Sequence, residues 1–233
     1  PQETTTLARI TTPSYNVTQV YGFTETYGHV VECLWNSDWD DIPKEEQSSI
    51  KARQGVAMPM MEATTVVDKN CKQIPMDGTT QGEIVMRGNS VMKGYFKNPE
   101  ATAKAFESGY FHSEDIAVQH PDGMMQIADR MKDIIISGGE NISSIEVEGA
   151  IMGHPAVSLC AVVAKPDEKW GEVPCAFVEL LPGQLTNEAE IIKFVRSKLA
   201  GFKTPKQVIF QELPKTSTGK IQKFELRVIA KTG

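Results

Sequence analysis

Asp129-Arg130-Met131-Lys132-Asp133-Ile134-Ile135-Ile136-Ser137-Gly138-Gly139-Glu140-Asn141-Ile142-Ser143-Ser144-Ile145-Glu146 is where this chain changes character. Upstream of it, from Ala63 to Gln126, short apolar runs (TTVVD, GEIVMRG, DIAVQH, MMQIA) are broken at Asp77-Gly78 and Pro121-Asp122-Gly123. That is β patterning with turn punctuation. Downstream, Ser143 and Glu146 have capping-box spacing and predict a helix to about Met152. Strands over Ala156 to Ala164 and Val173 to Leu181 follow. A Thr186-capped helix then places Ile191, Val195 and Leu199 on one face. A strand over Val208 to Leu213 and a helix from about Phe224 complete a unit of ordinary small-domain size. The polar Asp129 to Asp133 stretch is the boundary. The fold class is therefore α/β (mixed α+β), with a β-rich part at 1–130 and a compact α+β domain at 131–233.

Further out, Val17 to Val20 reads as a strand and Pro43 to Arg53 as a short charged helix. Asn98-Pro99 opens another helix carrying Ala101 to Phe106. The first residues, PQETTTLARI, carry no start signal and read as the continuation of something longer. With 233 residues, 40% hydrophobic and 23% charged, the chain can bury an ordinary core. A net charge of −6 argues against nucleic acid as a partner, although Lys203, Lys206, Lys215, Lys220, Lys223 and Arg227 make the tail locally basic. No stretch is long and apolar enough for a membrane span. Cys33, Cys71, Cys160 and Cys175 lack paired spacing, so neither zinc nor a disulfide framework is expected, and the cytoplasm fits best. The stretch Lys231-Thr232-Gly233 does not read as a peroxisomal address.

Four segments carry chemistry. Pro214 to Lys223, PKTSTGKIQK, puts Lys220 behind a Thr216-Ser217-Thr218-Gly219 loop, where a point charge can meet charge developing on a phosphoryl oxygen. It is not a Walker loop, because Ile221 follows the lysine; an ordinary basic surface turn is the plainer alternative. Tyr21-Gly22-Phe23-Thr24-Glu25-Thr26 reads as a polar turn after a strand. Its hydroxyl and carboxylate suit a phosphate oxygen and Mg²⁺, or equally a helix cap. Asp115, in Phe111-His112-Ser113-Glu114-Asp115, could take ribose hydroxyls or be a strand-entry aspartate; His112 is left without a role. Arg130 can clamp ribose or phosphate oxygens, and Gly138-Gly139 allow positive φ in a tight strand-to-helix turn.

Taken in order, YGFTET, GEIVMRGNSVMKGYFKNPEAT, GYFHSEDIAV, DRMKDIIISGGENISSIEVE, EKWGEVPCAFVEL and FKTPKQVIFQELPKTSTGKIQK resemble the successive signatures of the adenylate-forming family. That family holds acyl-CoA synthetases, luciferases and peptide-synthetase adenylation domains. The wording is most similar to short- to medium-chain acyl-CoA ligases. The resemblance implies that residues 1–130 are the C-terminal part of the family's large nucleotide- and acyl-binding domain, including a small β-rich subdomain. Residues 131–233 would be its mobile lid. It further implies that Tyr21, Thr24, Asp115, Ile127 and Arg130 bind nucleotide and that Glu25 holds Mg²⁺. Lys132 would be the hinge and Lys220 the adenylation lysine. Gly138, Gly139, Trp170, Phe202 and Lys206 would meet CoA.

Two departures stand out. The family usually has glycine where this chain has Glu114. Its Ser/Thr/Gly-rich phosphate loop has no counterpart in residues 1–20, so the chain is expected to be a C-terminal portion unable to adenylate alone. The implied activity is an ATP-dependent carboxylate–CoA ligase in fatty acid metabolism, using ATP, Mg²⁺ and CoA, with a homodimer as a possible assembly. The rivals are a peptide-synthetase adenylation domain, which would continue into a carrier, and a non-catalytic nucleotide- or CoA-binding fragment.

Overall fold

The computed structural model describes residues 17–232; the opening stretch read above as lacking a start signal lies outside them. The described chain divides into two compact units, one ending at Met131 and the other starting at Lys132.

The first unit is built from antiparallel strands. β1 (Val20–Phe23), β2 (Gly28–Glu32) and β3 (Val56–Ala57) form one sheet, and β4 (Met61–Val67), β5 (Gln81–Gly88), β6 (Phe111–Gln119) and β7 (Met125–Arg130) form a meander. Helix α1 (Lys44–Lys51) precedes β3. Helix α2 (Pro99–Ala105) lies between β5 and β6, and the Asn98 side chain caps it by accepting from the Ala101 N–H at 3.0 Å. β1 starts three residues later than expected, so Tyr21-Gly22-Phe23 belongs to the strand rather than to the turn. The reason lies across the sheet. Tyr21 pairs with Val31 and is buried, while a Cβ on Gly22 would sit 2.0 Å from the Gly28 carbonyl oxygen. Only glycine lets the strand run through that contact. Tyr21, Val30, Val31, Val66, Ile84, Met86, Phe111 and Met125 bury as one cluster that joins the two sheets.

The second unit begins with a hairpin, β8 (Ile135–Ser137) and β9 (Glu140–Ile142). Gly138 and Gly139 turn it with φ of 61° and 87°, so they connect strand to strand, not strand to helix. Two successive positive φ values match the twist of a two-residue hairpin, which explains why both positions are glycine. Helix α3 (Ser144–Met152), strands β10 (Val157–Asp167) and β11 (Gly171–Leu180), helix α4 (Glu188–Arg196), strand β12 (Gln207–Phe210) and helix α5 (Lys223–Thr232) follow. β10 is antiparallel to β11, which pairs β12 in parallel and meets β8 at Gly171.

Both faces of this sheet are covered. Cys160, Val162, Ala176 and Val178 pack with Val147 and Ile151 of α3 and Ile191 and Val195 of α4. Their strand neighbours Ala161, Val163, Cys175 and Phe177 pack with Leu226 and Ala230 of α5. Two buried faces explain why these strands read as continuous apolar runs rather than alternating ones. Helix α3 starts as the capping spacing predicts, with the Glu146 N–H donating to Ser143 Oγ at 3.2 Å. Helix α4 is capped one residue later than expected. Asn187 Oδ1 reaches the Glu190 N–H at 3.0 Å, while the Thr186 hydroxyl donates to the Glu190 carboxylate. β12 stops at Phe210; beyond it the Gln211 N–H still donates to the Val178 carbonyl, while the Leu213 N–H donates to the Glu179 side-chain carboxylate.

Candidate active site

In the first unit the fold gathers Tyr21, Asp115 and Arg130. Asp115 and Arg130 are register partners on β6 and β7, with Arg130 Nε 3.4 Å from Asp115 Oδ1. The Tyr21 hydroxyl donates to Asp115 Oδ2 at 2.9 Å. Burial, then the nearby Asp115 charge, pushes the Tyr21 phenol far up, so it stays protonated and works as a donor. The carboxylate is buried, whereas Arg130 is 55% exposed along its side chain. Ile127 packs against the same cluster as Tyr21, and its N–H donates to Gln54 Oε1 at 2.6 Å.

Asp115 is aimed by an irregularity in β6. Glu83 pairs with Ile116 and Val85 with His112, so β6 spends extra residues over that span. Its bulge holds Glu114 at φ 58°, the left-handed region that glycine enters freely. The Ser113 hydroxyl donates to the Ile84 carbonyl at 2.7 Å and accepts from the Asp115 N–H at 3.1 Å.

Thr24 and Glu25 occupy a short 3₁₀ turn immediately after β1. Buried Thr26 holds this turn: its hydroxyl accepts from the Phe23 N–H at 2.8 Å and donates to the Gly28 carbonyl at 2.7 Å. Thr24 and Glu25 line a cleft of about 370 Å³ together with Asn89, Ser90, Met92 and Lys93. The Tyr95 hydroxyl donates to Glu25 Oε1 at 3.2 Å. Sequence reasoning assigned no role to Thr26, Lys93 or Tyr95. The signal for the last two was the GNSVMKGYF run, which the resemblance quoted without dividing it into roles.

In the second unit Gly138 lies against Trp170. Its N–H donates to the Trp170 carbonyl at 2.8 Å, and a Cβ there would come within 2.8 Å of the indole. Trp170 and Phe202 are each almost half exposed. The Lys206 N–H donates to the Pro174 carbonyl at 2.9 Å, which anchors the loop that carries it. Lys220 is exposed at the end of a hydrogen-bonded turn. The Thr216 N–H donates to the Lys220 carbonyl at 2.8 Å, the Lys220 N–H to Thr216 Oγ1 at 3.1 Å, and Gly219 adopts φ 83°. Lys132 is exposed in the 3₁₀ turn Met131–Asp133, and Asp133 pairs with Arg227 of α5.

Residues 1–96 match the AMP-binding enzyme family, and residues 146–220 match the AMP-binding enzyme C-terminal domain. The chain belongs to the adenylate-forming, AMP-binding enzymes. An acetate–CoA ligase of Humulus lupulus is 55% identical over 93% of this chain, which spans 39% of that protein. A peroxisomal acetate/butyrate–CoA ligase of Arabidopsis thaliana is 52% identical over the same share of the chain and of itself. Among solved structures, ATP-bound MatB from Rhodopseudomonas palustris superposes with a TM-score of 0.81 at 32% identity, over 94% of this chain and 41% of that one. The chain thus spans about two fifths of the adenylate-forming relatives it matches, and the mixed α/β architecture is theirs. Among the described residues no helix is long and apolar enough to cross a membrane.

Proposed function

We propose that this chain is part of an ATP-dependent carboxylate–CoA ligase for short- to medium-chain acids. A carboxylate oxygen attacks the α-phosphorus of ATP, pyrophosphate leaves, and an acyl-adenylate forms. The CoA thiol then gives up its proton, its sulfur attacks the acyl carbonyl, and AMP leaves with the electrons of the broken C–O bond. The observation that carries this reading is the Tyr21–Asp115–Arg130 cluster, in the same unit as the Thr24–Glu25 cleft. A rigidly held carboxylate accepts from the two hydroxyls of a ribose, and the exposed Arg130 guanidinium beside it reinforces that contact. Ile127, on the same core cluster as Tyr21, supplies apolar contact to the base.

A hydroxyl beside a carboxylate in an open cleft suits an α-phosphate and a Mg²⁺ shared with substrate oxygens. Mg²⁺ takes one or two protein carboxylates and leaves its other positions to phosphate and water, which fits Glu25. When bound, the ion would neutralise charge on the departing pyrophosphate. Lys220 serves the first step by meeting charge passing between the α-phosphate and the carboxylate. In the second step Gly138 and Gly139 let the thin pantetheine arm pass close to the backbone, and Trp170, Phe202 and Lys206 meet CoA outside that passage. Residues 1–130 then form part of the large domain and 131–233 a lid that swings about Lys132, exchanging Lys220 for the glycine hairpin at one site. Cytoplasmic placement, a role in fatty acid metabolism and a homodimer belong to the same proposal; cell fractionation and light scattering check the first and last.

Lys220→Ala in the full-length ligase is expected to lower adenylate formation on the order of 10²–10³-fold while sparing thioester formation from supplied acyl-adenylate. Pyrophosphate exchange and single-turnover thioester formation read the two steps separately. Equal loss in both removes the assigned role.

A further inference from the structure

Bulges relax unless something holds them, and the one that aims Asp115 has an L-residue at left-handed φ at its apex. Across the sheet, Glu83 of β5 clasps it. Glu83 Oε1 accepts from the Glu114 N–H at 2.9 Å, and its other oxygen lies 2.8 Å from His112 Nδ1. The far ring nitrogen of His112 donates to the Glu107 carbonyl at 3.0 Å, so the ring is braced at both ends. Both side chains of this pair are only 16% exposed. Their polar atoms face inward on the bulge.

We propose that Glu83 and His112 are positioning residues, a strut that holds the Glu114 bulge and thereby sets the Asp115 carboxylate for a ribose diol. The inference rests on the reading of Asp115 given above. It explains how glutamate stands at a position whose backbone favours glycine: the charged clasp on the Glu114 N–H offsets the strain of its φ. Both act through the bulge, so neither is a catalytic residue.

The readout is the ratio of kcat/KM for ATP to that for 2′-deoxy-ATP in the full-length ligase. A hydroxyl bonded to a fixed carboxylate makes this ratio roughly ten- to a hundred-fold in the parent enzyme. Asp115→Ala should bring it close to one. Glu83→Ala should lower it at least about five-fold by freeing the bulge, with the KM for the carboxylic acid within about two-fold of the parent. Glu83→Gln keeps an acceptor for the Glu114 N–H and should retain most of the ratio. If Glu83→Ala does not fold, His112→Ala is read in the same way, because it removes the brace and leaves Glu83 in place. A merely structural role would depress melting temperature and all rates while leaving the ratio alone. Parental ratios in Glu83→Ala and His112→Ala, with collapse in Asp115→Ala, overturn the strut and leave the ribose reading standing. A parental ratio in Asp115→Ala overturns both.

Discussion

Glu114 shows how much a single backbone angle carries. An L-residue at φ 58° costs about 1–2 kcal/mol relative to its ordinary conformation, and glycine would return part of that as lost chain entropy. Its carboxylate lies 3.8 Å from Lys104 with both side chains mostly exposed, a pair that contributes little. Glu114→Gly should therefore raise stability by up to about 1 kcal/mol in urea melts, whereas Glu114→Val should lower it by more than that. A glycine variant less stable than the parent would mean that the angle is not strained. The identity of residue 114 was plain in the sequence, but its φ was not, since cross-strand partners set it. The same holds for His112, a histidine without an assigned role until Glu83, a residue 29 positions away, was found against it.

At the scale of the element, the lysine loop is tied at its foot. Glu179 of β11 accepts from the Leu213 N–H and pairs with Lys215 at 2.8 Å, and Lys215 bridges Ile221 across the loop. Burial alone would raise the Glu179 carboxyl, but Lys215 and the Leu213 N–H outweigh it and hold it below the usual range. A carboxyl depressed in the folded state stabilises fully above its unfolded value, about 4.3, and that stability is lost as pH falls through the lower folded value. Backbone order at Thr216 to Lys220, read by ¹⁵N relaxation, should be unchanged from pH 7 to 6 and decline below about 4. Glu179→Ala should slow adenylation several-fold at pH 7 and leave thioester formation alone; unaltered relaxation in that variant would show that the loop does not depend on its foot. The sequence announced this loop by its Thr216-Ser217-Thr218-Gly219 composition. Its foot is held by a glutamate in another strand, and so composition could not reveal that tie. Helix α4 was legible because a 3.6-residue period is local, and its cap was misplaced by one residue because two neighbouring side chains both bond Glu190.

For the whole molecule, the division at Met131 and Lys132 makes two expectations concrete. Residues 132–233 enclose their own two core clusters, so that segment expressed alone should give a single cooperative thermal transition. A broad, non-cooperative melt would count against it. Lys132→Pro in the full-length enzyme should depress one half-reaction far more than the other with little change in melting temperature, because proline fixes φ near −65° where a pivot must rotate. If both half-reactions keep normal rates, Lys132 is an ordinary exposed lysine.

What the sequence determined by itself was local: strand and helix types from periodicity, helix starts from side chains three residues apart, and the family from the order of its motifs. The tertiary structure alone decided that Tyr21 donates to Asp115, that Gly138 lies under Trp170, that Thr26 locks the Thr24–Glu25 turn, and that Glu83 clasps the bulge. Register explains the difference. A strand's own residues state that it pairs, but its partner and a bulge's offset are set by contacts distant in the chain, such as the 94 positions that separate Tyr21 from Asp115.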